Sequence, residues 1–134
     1  GGGEKIGKTI EELAFIFKKL GLKRVKVCLD TAHAYESGII KYDTADIEIF
    51  VDKMDKEIGL NNIVAIHAND SKTLWNSHND RHENIGAGYI GLPGFKALAK
   101  EKRLWDKTWL LEVPGFENEG PDKKNVEILK KCFI

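Results

Sequence analysis

The sequence predicts an α/β fold in which parallel strands are joined by crossover helices. Three observations carry this. Segments of helical period alternate with short β-branched segments, in the order helix, strand, helix, strand, helix, strand, helix. Each strand segment closes on or beside a residue able to do chemistry: Asp30, His67 and Glu112. The composition, 42% hydrophobic and 31% charged over 134 residues, suits one domain with its own core rather than a disordered chain.

Over residues 5–20, Ile6, Ile10, Leu13, Phe17 and Leu20 share one helical face, and Gly21 supplies the stop. Residues 24–30 alternate, with Val25, Val27 and Leu29 to one side and Lys26, Cys28 and Asp30 to the other. A strand ending at Asp30 follows, with Cys28 expected as buried filler below it. A polar loop is expected from Thr31 to Asp43. Thr44 is the expected N-cap of a helix over 44–58, which buries Ile47, Phe50, Val51, Met54 and Ile58 before Gly59. Residues 62–68 form the second strand, with His67 on the face of Ile63 and Ala65.

The stretch from Asn69 to Gly91 reads as a long polar loop, and a loop of that length in a compact domain is usually functional. It contains Asp80-Arg81-His82-Glu83-Asn84-Ile85-Gly86, a carboxylate and an imidazole two residues apart in a segment that is not expected to fill a core. Pro93 suits the first turn of a helix running to about Lys102, with Phe95, Leu98 and Ala99 inward. Residues 108–113 are the third strand, with Glu112 inward near its end, where an unpaired carboxylate would be costly. Pro121 opens a last helix with Val126, Leu129 and Phe133 as its stripe. Trp75, Trp105 and Trp109 are read as packing residues, with contact to a ligand as the alternative for Trp75 in the long loop.

The formal net charge of zero argues against a broad electrostatic grip on nucleic acid or on an anionic membrane. No apolar run approaches the roughly 18–20 residues that span a bilayer, and no signal segment is recognisable. The two cysteines do not make a disulfide framework, so a cytoplasmic location is expected.

Asp30, His67 and Glu112 fall at the C-terminal ends of strands, the edge where α/β barrels collect catalytic groups. His33, Asp80 and His82 lie in segments rising from that same edge. Singly, each has a plainer reading: an aspartate there caps a turn or helix, and a strand histidine sits hydrogen-bonded in the core. Jointly they place carboxylates and imidazoles on one rim. Such a mixed set suits Zn, Mn or Fe(II) better than Ca or Mg.

Four segments then resemble successive motifs of the endonuclease IV family of zinc-dependent apurinic/apyrimidinic endonucleases. They are Cys28-Leu-Asp30-Thr-Ala-His33-Ala-Tyr35, His67-Ala-Asn69-Asp70-Ser71, Asp80-Arg-His82-Glu-Asn-Ile-Gly86 and Leu111-Glu112-Val-Pro-Gly115. The resemblance runs through the chain in order. It implies a TIM (β/α)8 barrel with three zinc ions that hydrolyses the phosphodiester 5′ to an abasic site in double-stranded DNA during repair, with no membrane and no obligate protein partner. By motif, His33, Asp80 and His82 would hold one zinc. Asp30, His67 and Glu112 would belong to a second, and these three are the catalytic candidates. Asn69 and Asp70 would support the ligands or order the loop.

The chain departs from the family pattern at Ala87, where an acidic residue is common, and at Ala68 and Val113, where Leu and Thr are common. None is a ligand. Earlier family strands carry two more histidines and a bridging glutamate with no match here, and Gly1–Gly7 resembles the stretch just after that glutamate. The chain is therefore expected to be a single C-terminal piece, residues 1–134, of a partial TIM barrel: three strands with crossover helices, all ligands for one zinc and some for a second, and inactive or very weakly active alone. A whole barrel takes about 250 residues. Two other readings remain: a sugar isomerase or epimerase of the xylose-isomerase-like barrels, and a non-catalytic metal-binding fragment. Asp80-Arg81-His82 separates the isomerase, which does not need the extra ion.

Overall fold

The computed structural model of the chain describes residues 6–21 and 23–134. In chain order its main elements are α1 (Ile10–Leu20), β1 (Val27–Asp30), α2 (Thr31–Glu36), α3 (Thr44–Glu57), β2 (Ile63–His67), β3 (Asp70–Ser71), β4 (His82–Glu83), α4 (Gly91–Ala99), β5 (Thr108–Leu110) and α5 (Lys123–Lys130). The strands β1, β2 and β5 form a parallel sheet in that order. α3 crosses from β1 to β2, and α4 from β2 to β5, as the alternation predicts.

Register decides where the chemistry goes. Asp30 pairs with His67, and His67 with Leu110, so Glu112 stands two residues beyond the same edge. One residue earlier, Leu29, Ile66 and Trp109 form a row across the sheet that packs into the core. Cys28 lies on the opposite face with Asp30 and is exposed, so the expectation that it is buried fails. Pleat alternation sends it away from the helix-packed row. The core on the packed side is built from Ile47, Phe50, Val51 and Met54 of α3 and from Phe95, Leu98 and Ala99 of α4, as their spacing predicts.

The ends of several elements differ from the sequence reading. α1 starts at Ile10, because Thr9 accepts the Glu12 N–H as N-cap. Ile6 therefore stays outside the helix and exposed, and Lys5 lies outside the described residues. Asp43, not Thr44, caps α3 by accepting the Asp46 N–H at 2.8 Å. The expected loop after Asp30 opens instead with α2, whose Ala32, Ala34 and Tyr35 are buried. α4 begins two residues before Pro93, which sits within its first turn. Glu112 lies past the end of β5, and its side chain is 51% exposed rather than inward.

The 69–91 stretch is not a plain loop. β3 and β4 pair antiparallel, Asp70 with Glu83 and Ser71 with His82, and Ile85 is buried in the core. α5 is capped by Asp122; it buries Leu129 as expected but leaves Val126 exposed. Trp109 packs edge-on against Phe133, and Trp105, half exposed, meets the same ring edge-on and donates its Nε1–H to the Ala99 carbonyl. No helix among the described residues is long and apolar enough to cross a membrane.

Candidate metal centre

Asp30 ends β1 and also caps α2, so it fulfils the plain reading while its second carboxylate oxygen faces the rim. Its Oδ1 accepts the His33 N–H at 3.0 Å. Its Oδ2 accepts an amide hydrogen of Asn69 at 2.9 Å, and lies 3.6 Å from Nδ1 of His67 and 3.8 Å from Nε2 of His82. His67 Nδ1 is 2.9 Å from Oε2 of Glu112. His33, on α2, places Nε2 at 3.6 Å from Oδ1 of Asp80, and its ring meets that of His82 edge-on at 5.4 Å.

His82 carries the most informative contact. Its Nδ1 lies 3.2 Å from the backbone carbonyl of Glu112. A carbonyl only accepts, so Nδ1 bears the hydrogen. The neutral ring then presents a lone pair at Nε2, and that atom is buried without a hydrogen-bond partner among the described residues. It lies 3.8 Å from Oδ2 of Asp30 and 3.9 Å from Oδ1 of Asp80. A buried nitrogen lone pair among carboxylates, with its far nitrogen held by a carbonyl, is how a metal-ligating histidine is presented.

Ligand atoms lie within 4.8 Å of one another in three overlapping sets: Asp30, His33 and His82; Asp30, His67 and Glu112; and His33, Glu36 and Asp80. All six residues expected from the sequence thus come to one rim. Asp30 belongs to both of the first two sets rather than to the second alone, and the expected trio His33, Asp80 and His82 is divided, with His82 grouped with Asp30 and His33, and Asp80 with His33 and Glu36. The donors, imidazole nitrogens with carboxylate oxygens, fit zinc or another divalent ion of similar softness.

Beneath this rim lies a buried polar layer. Asn69 donates to Asp30, and its Oδ1 accepts the Glu112 N–H at 2.8 Å, so one side chain ties the ends of β1 and β5. Thr31 accepts the Asn69 N–H at 2.9 Å and donates back to the Asn69 carbonyl at 2.6 Å. Asp70 is fully buried and accepts the N–H groups of Ser71, Gly86, Gly88, Ile90 and Gly91. Burial still pushes its carboxyl above the usual carboxylate range, outweighing those donors. Gly88 must be glycine, because a Cβ there would collide with the Ser71 carbonyl oxygen. Asn125 of α5 accepts the Ile85 N–H at 2.8 Å and donates to Asn84, closing the loop from the other side.

The sequence reading missed Glu36 and Asn125. Glu36 had one available signal, its position three residues after His33, which on a helix puts both on one side. Reading that segment as loop hid it. Asn125 had none, since an asparagine at a helical position reads as surface.

A family model described as xylose isomerase-like TIM barrel matches residues 1–132. The chain is 41% identical over 135 residues to a probable endonuclease 4 of Clostridium botulinum, covering 99% of this chain and 47% of that protein. It is 42% identical to a probable endonuclease 4 of Methanosphaera stadtmanae, again covering 99% and 47%. Its fold matches the crystal structure of endonuclease IV from Thermus thermophilus with a TM-score of 0.79 at 34% identity, over 98% of this chain and 46% of that one. The chain spans about half the length of the curated relatives it matches.

Proposed function

Because this chain belongs to the xylose isomerase-like TIM barrel family, we propose that its strand-end cluster is part of a zinc centre that hydrolyses the DNA phosphodiester 5′ to an abasic site. The observation that carries the reading is the buried, unpartnered Nε2 of His82, facing Asp30 and Asp80 with its tautomer set by the Glu112 carbonyl. The similarity to proteins named endonuclease 4 supports the choice of reaction.

His33, Asp80 and His82 would hold one ion. Asp30, His67 and Glu112 would serve a second, with Asp30 within reach of both. Zinc bound there would supply charge neutralisation for the phosphodiester and would ease deprotonation of the attacking water. The chain's own residues orient these groups. Asn69 fixes Asp30 and the backbone of Glu112, and the Glu112 carbonyl fixes the His82 ring. The Glu112 side chain is 51% exposed against 13% for Asp30, so it is the carboxylate that first meets a water or substrate. An abasic nucleotide has little stacking to lose and turns out of the duplex readily, which suits a recessed rim. With zero net charge the chain is suited to gripping DNA at the rim rather than over a broad basic surface.

Metal counting on the purified chain, followed by incision assays on a duplex with one abasic site, tests the proposal. The expected result is more than one zinc per chain with zinc-dependent incision on the 5′ side of the abasic site that is very weak or absent, since the chain spans about half the length of its relatives. A single Mn or Mg with turnover of an aldose would support the isomerase instead and overturn the proposal.

A further inference from the structure

Glu36 ends α2 and is fully buried. Its two carboxylate oxygens are treated differently. Oε1 accepts the Ser71 hydroxyl at 2.7 Å, the Arg81 N–H at 3.2 Å and the Thr73 hydroxyl at 3.4 Å. Oε2 is equally sealed from solvent and has no hydrogen-bond partner among the described residues. A buried carboxylate oxygen left bare is costly unless a cation compensates it. A Glu36 carboxylate oxygen also lies within 4.8 Å of ligand atoms on His33 and Asp80.

Resting on the zinc reading of this rim, we propose that Glu36 is a further ligand of the ion held by His33 and Asp80, donating through Oε2. An anchoring role alone does not account for the division of labour. Anchoring of the 71–81 segment needs one oxygen, and Oε1 already gathers every bond. Ligating carboxylates are themselves held by hydrogen bonds, and the three on Oε1 fix the direction of the other oxygen. Glu36 therefore links the segment carrying Asp80 to the same ion that Asp80 binds.

The test is Glu36→Gln in the 134-residue chain, with zinc alone as the probe. The amide can keep its oxygen toward Ser71, Thr73 and Arg81 while placing a non-ligating NH2 at the Oε2 position. Zinc affinity is measured by competition with a chromophoric chelator, and coordination by the visible spectrum after cobalt substitution. The expected result is a fall in affinity of at least about 10-fold and a changed cobalt spectrum. Unchanged affinity and spectrum would reduce Glu36 to an anchor and overturn the proposal. A zinc-soaked crystal of the unaltered chain gives a second reading, independent of whether the variant folds. A Glu36 oxygen at about 2.0–2.2 Å from zinc is expected; one beyond about 3.5 Å, outside any zinc–carboxylate bond, contradicts it. Failure of the unaltered chain to bind zinc at all would defeat the zinc reading itself.

Discussion

Asp30, His67 and Glu112 take their positions from the sheet, whereas Asp80 and His82 take theirs from buried polar side chains beneath a long connection. In the first group a parallel register sets Asp30 opposite His67, and the run of β5 carries the chain on to Glu112. In the second group two-residue strands do little pairing. The work of shaping is done by Asp70, which gathers the turn around Gly86–Gly91, and by Glu36, which holds Ser71 and Arg81. Ligands on a register are difficult to displace singly. Residues on a connection depend on the buried side chains beneath it.

The largest effect is expected at Asp70. In Asp70→Asn an NH2 group faces backbone N–H groups and leaves at least one buried donor unsatisfied. A loss of about 3 kcal/mol follows from the range for bonds to a charged acceptor and for orphaned buried groups. Urea unfolding should show a lower midpoint, and zinc binding at His82 should weaken while the Asp30–His67–Glu112 set retains its ion. Equal loss at both would erase the contrast.

Asn69→Ala attacks the register-built group. It removes the amide that holds Asp30 and the Glu112 backbone but leaves Asp70 and its turn intact. Zinc affinity at Asp30, His67 and Glu112 should fall about 10- to 100-fold, the range for losing a partner of a ligand. No change by competition titration would mean that the sheet alone positions these residues.

The smallest effect is a pH slope. The carboxyl of Asp70 is raised by burial, so the folded state holds its proton to higher pH than the unfolded chain does. Its contribution to stability is therefore fully present below the ordinary aspartate value and is lost as pH rises through the elevated one. The stability advantage of the parent chain over Asp70→Asn should shrink as pH rises across that window. An advantage that grows with pH would show that the converging N–H donors outweigh burial.

The same contrast explains what could be read from the sequence. The strands were legible because β-branched alternation, helical stripes and breakers such as Gly59 and Pro114-Gly115 are local signals. Once the strands are parallel, residues at their ends must share a rim, so Asp30, His67 and Glu112 could be placed together. Asp80 and His82 could be brought toward that rim because their stretch leaves the same edge, but only motif resemblance paired them with His33, because nothing local says how a 23-residue polar stretch folds back. The buried layer under it escaped, since a buried Glu36 or Asn125 looks like any solvated residue in a string of letters. Cap positions also shifted, Asp43 replacing Thr44, because adjacent residues compete for the same N–H groups and geometry decides.

The central claim is that the rim holds an ion at His33, Asp80 and His82 in addition to one at Asp30, His67 and Glu112. The most direct test is the zinc content per chain, by elemental analysis after dialysis, for the parent and for His82→Ala. The parent should carry more than one zinc, and His82→Ala should lose one while keeping the other. The same zinc content in both would contradict the assignment.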